Sequence, residues 1–209
     1  MQSNTYSGHT IHQRHILVGV TGSVAATKLL ELVTGLQTLG EVQVVYTSAA
    51  KRFFCSTKLS QSGVSLWTDG DEWDLWQELS SPILHIKLRR WADIFILAPL
   101  TANTLAKMAN GLCDNLLTSI LRAWDPSRPI LAAPAMNTYM WHHPLTQRHI
   151  ALIHDIFTWI EWIGPIEKRL ACGDIGMGGM MGVSEIIEKA AQMLERAKKE
   201  NNQVFFKTY

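Results

Sequence analysis

His15 to Leu30 reads HILVGVTGSVAATKLL, and the order of residue types within it decides the fold. Its first six residues, His15 to Val20, are a short apolar run rich in β-branched side chains, the pattern of a strand buried on both faces. The run breaks at Thr21-Gly22-Ser23. Ala25, Leu29, Leu32, Val33 and Leu36 then recur at helical spacing, and Gly40 stops that helix. Val42 to Thr47 (VQVVYT) is a second apolar strand. A strand, a tight turn, a helix and another strand form the repeating unit of a parallel sheet covered by helices.

The unit recurs along the chain. Ala49 to Phe54 starts a helix, and an irregular polar stretch follows to about Asp71. Ile83 to Trp91 suits a short helix, and Asp93 to Ala98 (DIFILA) is a third strand. Ala102 to Arg122 reads as one or two helices broken near Gly111, and Pro129 to Ala133 (PILAA) as a fourth strand. Pro144 opens a helix to about Asp155, and Phe157 to Ile163 is a fifth strand rich in Trp and Ile. After a Gly-rich loop, Ser184 caps a last helix whose apolar face is Ile186, Ile187, Ala190, Ala191, Leu194 and Ala197. The expected fold is α/β: a single-domain, three-layer, Rossmann-like or flavodoxin-like doubly wound parallel sheet over residues 15–197. A flexible N-terminal segment (1–14) precedes it and a polar C-terminal tail (198–209) follows.

Composition narrows the function. Lys plus Arg number 19 and Asp plus Glu 18, a net charge of +1, without the basic excess that grips nucleic acid or an anionic membrane. No run approaches the ~18 apolar residues of a membrane span. The N-terminus lacks a secretion signal's basic start and apolar stretch. Cys55, Cys113 and Cys172 are odd in number and far apart, with no CxxC and no zinc spacing, so neither a disulfide framework nor a metal is expected. A reducing, cytoplasmic setting fits. Eight Trp and eight Met exceed what a small monomer's core needs, which points to a flat aromatic ligand or a subunit interface.

Ligands of doubly wound sheets bind outside the carboxyl ends of the strands, near the point where strand order reverses. After the first strand, Gly22 lets backbone approach a phosphate and Ser23 can donate to it; a capped turn without ligand explains the same residues. The GxGxxG dinucleotide fingerprint is absent, and the second strand ends in Thr47-Ser48 without an acidic residue for a ribose, which argues for a mononucleotide and against a nicotinamide dehydrogenase. The third strand ends in Pro99-Leu100-Thr101-Ala102-Asn103-Thr104. An N-cap accounts for one of its hydroxyls but not for three polar groups. The fourth ends in Pro134-Ala135-Met136-Asn137, where Asn137 can orient a carboxylate or amide, while Met136 and Met140 taken singly read as core filling.

Two reactive side chains remain. His85 lies among aliphatics on the helix before strand three, a setting shared by structural histidines. Cys172 opens a stretch with five glycines, Gly173, Gly176, Gly178, Gly179 and Gly182, which reads as a mobile flap. Beside Lys168 and Arg169, its thiol is better placed for proton transfer than Cys113, which reads as structural.

Four segments in order, SPILHIKLRRWAD (81–93), PLTANT (99–104), PAMNTYMW (134–141) and KRLACGD (168–174), carry a specific resemblance. Together they resemble the homo-oligomeric flavin-containing cysteine decarboxylases, and among them the phosphopantothenoylcysteine decarboxylases of coenzyme A synthesis. The match runs from about Ile16 to Leu194. The resemblance implies FMN held by Gly22, Ser23 and Val24, by Thr47, Ser48 and Ala49, by Thr101, Ala102, Asn103 and Thr104, and by Ala135. It implies His85 as catalytic base, Asn137 on the carboxylate of the substrate's cysteine, and Arg169, Ala171 and Met180 as further clamp contacts. Cys172 would be the proton donor of the reductive half. In the family, flavin oxidises the thiol end to a thioaldehyde, CO2 leaves to give an enethiolate, and the reduced flavin returns the electrons. The resemblance also implies a homotrimer with flavin at the subunit boundary and His85 on one side of it.

The sequence departs from that family at Gly164-Pro165-Ile166 and at Gly179-Met180-Met181-Gly182, an ending similar to a branch with regulatory relatives. Those relatives inhibit a type 1 Ser/Thr protein phosphatase, and this is the alternative function. The joint presence of His85, Asn137 and Cys172, without a long acidic tail after Leu194, favours the enzyme.

Overall fold

The computed structural model describes residues 13–206 apart from 171, 172 and 174. Six strands, β1 (His15–Val20), β2 (Glu41–Tyr46), β3 (Ser65–Trp67), β4 (Ile94–Leu100), β5 (Ile130–Pro134) and β6 (Ile160–Trp162), pair in parallel in the order β3-β2-β1-β4-β5-β6. An antiparallel pair, β7 (Ile166–Arg169) and β8 (Ile175–Gly179), stands apart from the sheet. The helices are α1 (Leu29–Leu36), α2 (Ser56–Gln61), α3 (Asp69–Asp74), α4 (Leu84–Trp91), α5 (Ala102–Ala109), α6 (Leu116–Arg122), α7 (Thr138–His142), α8 (Pro144–Ile156) and α9 (Val183–Phe206).

The continuous apolar strands are explained by burial on both faces. Ile16, Val18 and Val20 of β1, with Ile94, Ile96 and Ala98 of β4, join a core completed by α1 and by Ile186, Ala190 and Met193 of α9. Their alternates, Leu17, Phe95 and Leu97, join a second core with Leu84 and Leu88 of α4, Leu105 of α5, Leu117 and Ile120 of α6, and Ile153 of α8. Two cores separated by one sheet are the three layers expected of a doubly wound domain.

Strand order reverses between β1 and β4, because the chain adds β2 and β3 on one side of β1 and β4, β5 and β6 on the other. A buried threonine joins the two directions. Thr21, just past β1, donates its hydroxyl to the carbonyl of Pro99 at 2.7 Å and accepts the Thr101 N–H at 2.9 Å. Its own N–H also reaches the Pro99 carbonyl. On the flanks, Thr47 N–H donates to Val20 and Ala135 N–H to Leu100, so the chain leaves the strand tips at a common level.

The helix start read at Ala49 to Phe54 is a 3-10 turn (Ala50–Arg52), and the stretch after it, read as irregular to about Asp71, contains α2, β3 and the start of α3. These elements are too short for periodicity to register: α2 buries only Leu59, α3 buries nothing, and the edge strand β3 has three residues. The fifth predicted strand shrinks to Ile160–Trp162, with Phe157 and Trp159 packed against the second core from its lead-in. α9 continues past Ala197 to Phe206, because helix-forming charged residues carry it beyond its apolar stripe. The Gly-rich stretch read as a mobile flap contains, in its described part, the strand β8, which pairs with β7. Ahead of β1, Arg14 pairs with Glu195 of α9 and its carbonyl accepts the Glu41 N–H.

Replacing Thr21 by Val keeps the shape and removes both hydroxyl bonds, leaving the half-buried Thr101 N–H without its acceptor. This substitution should lower unfolding free energy by about 1–3 kcal/mol. Denaturant titration followed by circular dichroism checks it, and an unchanged midpoint would mean that the hydroxyl does not join the sheet halves.

Candidate active site

The loops at the reversal point enclose a cavity of about 450 Å³. Its walls contain all eleven residues expected to hold a cofactor: Gly22 to Val24 after β1, Thr47 to Ala49 after β2, Thr101 to Thr104 at the start of α5, and Ala135 after β5. The backbone makes the space. A Cβ on Gly22 would come within 2.6 Å of the Ala49 Cβ, so only glycine lets these two loops approach. The Thr47 hydroxyl is buried without a hydrogen-bond partner among the described residues, as expected of a group whose partner is a ligand. Ser23 caps the turn after β1, its hydroxyl accepting from Ala25 N–H at 3.3 Å. Thr101 makes no such cap on α5.

The cavity has walls that sequence reasoning missed. Lys107, Asp69 and Asn115 also line it. Lys107 follows Asn103 and Thr104 on α5 by four and three residues, a spacing that puts all three on one helical face and was available as a signal. Its ammonium group contacts both oxygens of Asp114, at 2.8 and 2.7 Å, and this bond holds the Asp114 carboxyl below its ordinary range. Asp69, the first residue of α3, accepts the Leu116 N–H at 2.8 Å, while Asn115 caps α6 through Thr118 N–H. The Asn115 cap is local to α6, whereas no sequence pattern announces the Asp69 contact, which depends on where α3 meets α6.

A second cavity of about 690 Å³ shares the wall formed by Ser23, Val24, Ala135, Met136 and Asn137. Its far side is the hairpin and the turn after it, with Lys168, Arg169 and Met180. The hairpin is held by backbone contact. Met136 N–H donates to the Gly178 carbonyl at 2.9 Å, and Gly178 adopts φ +136°, where a Cβ would collide with the Met136 carbonyl oxygen. Lys168 reaches the Met180 carbonyl at 3.0 Å, and the Met180 side chain is buried in the first core. Asn137 sits on the shared wall and caps α7, its side-chain oxygen accepting from Tyr139 N–H at 2.9 Å. The structure therefore brings together Asn137, Arg169 and Met180. Ala171 and Cys172 lie outside the described residues.

His85 is placed elsewhere. It occupies the first turn of α4 and lines neither cavity. Its Nδ1 is 2.6 Å from one oxygen of Glu72, and its backbone N–H donates to the other at 3.0 Å. α3 and the connection to α4 expose large apolar side chains, Trp73 at 77% and Leu79 at 96%.

Comparison with known proteins adds a family. The flavoprotein family pattern matches residues 4–195. The chain belongs to the flavoprotein family. It is 49% identical over 183 residues to phosphopantothenoylcysteine decarboxylase of Mus musculus, covering 87% of each chain. It is 54% identical over 187 residues to a probable thymidylate synthase of Schizosaccharomyces pombe, of which it spans only 30% while 88% of this chain is matched. Among solved structures, it superposes with a TM-score of 0.84 and 46% identity on a Cys-to-Ser variant of a PPC decarboxylase complexed with pantothenoylaminoethenethiol, covering 88% of this chain and all of that one. The FMN binding protein AtHal3 matches with a TM-score of 0.81 and 46% identity over 88% of this chain and 98% of that one.

Gly178→Ala should separate the hairpin from the loop after β5, since its φ and the Met136 carbonyl both exclude a methyl group. Limited proteolysis of the flavoprotein should then cut between residues 164 and 182 at least about tenfold faster, as local opening becomes easier. An unchanged cleavage rate would contradict the close backbone contact.

Proposed function

We propose that this chain is an FMN-dependent decarboxylase that converts 4'-phosphopantothenoyl-L-cysteine to 4'-phosphopantetheine and CO2, a step of coenzyme A biosynthesis. The observation that carries the reading is the pair of cavities joined at Ala135 to Asn137: one has the expected flavin residues, the other the expected substrate clamp. The similarity to the mouse decarboxylase and to the ligand-bound PPC decarboxylase supports the same chemistry.

The residues present fit FMN. Gly22 and Ala49 leave room for it, the unpartnered Thr47 hydroxyl offers it a hydrogen bond, and the Thr101 to Thr104 loop walls the opposite side. FMN, when bound, supplies a two-electron sink for the thiol end of the substrate and returns the pair after CO2 has left, so the overall reaction has no net redox change. Asn137, between the two cavities, orients the substrate's carboxylate. Arg169 and Lys168 of the hairpin meet its anionic end, with Lys168 also closing the hairpin onto Met180. Cys172, on the segment between β7 and β8, supplies the proton that completes the reduction. His85 takes the proton released when the thiol end is oxidised.

His85 lies outside both cavities of a single chain, and exposed Trp73 and Leu79 precede it in sequence. Both observations support a homotrimer in which FMN sits at the subunit interface and His85 serves a site completed by a neighbouring copy. The proposed location is the cytoplasm. Phosphatase inhibition, the alternative, needs a docking surface but no ligand cavity, whereas the eleven expected cofactor residues line one cavity.

Incubation of the FMN-loaded protein with 4'-phosphopantothenoylcysteine should release CO2 and give 4'-phosphopantetheine, with light scattering reporting the mass of three chains. His85→Asn should retain flavin and lose at least about 10²-fold in rate. Cys172→Ser should still release CO2 and stop before reduction. No CO2 from the wild-type protein would overturn the function, normal product from Cys172→Ser would overturn the role of the thiol, and a single-chain mass would overturn the shared site.

A further inference from the structure

Glu72 of α3 lines neither cavity. Its carboxylate uses one oxygen on the His85 ring, at 2.6 Å from Nδ1, and the other on the His85 backbone N–H, at 3.0 Å. One side chain thus fixes both the backbone and the ring of a single residue. The contact is well sheltered: the Glu72 side chain is 12% exposed and that of His85 26%. No described residue bonds to His85 Nε2.

The two helices that carry the pair are themselves anchored. α4 has no side-chain cap of its own at Ile83, so Glu72 supplies an acceptor to its first turn from outside. At the other end of α4, Arg128 donates to the carbonyls of Arg89, Arg90 and Ala92. α3 starts from a Thr68–Asp71 capping box, and its first residue, Asp69, both lines the flavin cavity and accepts the Leu116 N–H. Asp69 and Glu72 are three residues apart and share a face of α3. A continuous path through α3 therefore runs from the wall of the cavity to the imidazole of His85.

We infer that Glu72 is a positioning residue that keeps the His85 proton on Nδ1 and leaves Nε2 as the proton acceptor of the reaction. A carboxylate accepts only, so it selects the Nδ1–H tautomer over the Nε2–H form. The bond to the backbone N–H fixes the position from which Nε2 is presented. This rests on the reading of His85 as the base, and the test separates the two.

Full-length FMN-loaded chain labelled with 15N-histidine is observed by long-range proton–nitrogen NMR, with His85 assigned from the signals missing in His85→Asn. Above the titration of the ring, wild-type His85 should show a protonated Nδ1 and an unprotonated Nε2. Glu72→Ala should move the ring toward the Nε2–H form, and kcat for decarboxylation should fall roughly 10- to 100-fold with KM changed less than about threefold. A wild-type ring protonated on Nε2 overturns the inference and needs no variant, so a poorly folding Glu72→Ala does not shelter it. Unchanged ring signals or unchanged kcat in a folded Glu72→Ala overturn it as well. Full activity in His85→Asn instead overturns the role of His85 while leaving the tautomer measurement intact.

Discussion

The Thr21 hydroxyl is where the two halves of the sheet are tied together, and the geometry of the site follows from it. The strands could cover their apolar faces with helices on either side of many sheets, but the loops above them converge only if β1 and β4 end in register. Thr21 bonds to Pro99 on one side and Thr101 on the other, so the turn after β1 and the entry into α5 are positioned by one buried group. Such a group has little freedom: buried and fully partnered, it is stable, and stripped of either partner it is strongly unfavourable. The cavity proposed to hold flavin is lined by the residues that follow this junction, Gly22 to Val24 and Thr101 to Thr104.

Around that junction the site is made from backbone proximity more than from large side chains. Gly22 lets the β1 loop lie against Ala49, and Gly178 lets the hairpin lie against Met136. The first approach shapes one cavity and the second shapes its neighbour, so the two share the Ala135 to Asn137 wall. Among the charged groups that line the cavities, Lys107 pairs with Asp114, and Lys168 donates to the Met180 carbonyl while keeping its charge.

What could be read from the sequence follows the same division. HILVGV and DIFILA are legible because a strand buried on both faces must be apolar throughout, and the small polar residues after them are legible because strand ends at a reversal point are where ligands bind. Thr101 to Thr104 and Asn137 are found by that reasoning alone. α2, β3 and α3 escape it, since each is shorter than the window in which a period shows. The glycines between Gly173 and Gly182 read as a loop by their conformational freedom, but Gly178 lies in a strand and is required both by its φ and because another backbone passes against it. The pairing of Glu72 with His85 joins residues thirteen positions apart through a turn of no regular pattern, and only the folded chain reveals it.

The account depends most on the cavity above Thr21 being the flavin site. Titrating the flavin-free chain with FMN and following the quenching of flavin fluorescence measures this directly. Saturation at one FMN per chain, with affinity lowered at least about tenfold by Gly22→Val in a protein of unchanged fold, is the predicted result. Failure of the wild-type chain to bind FMN, or equal binding by Gly22→Val, would contradict it.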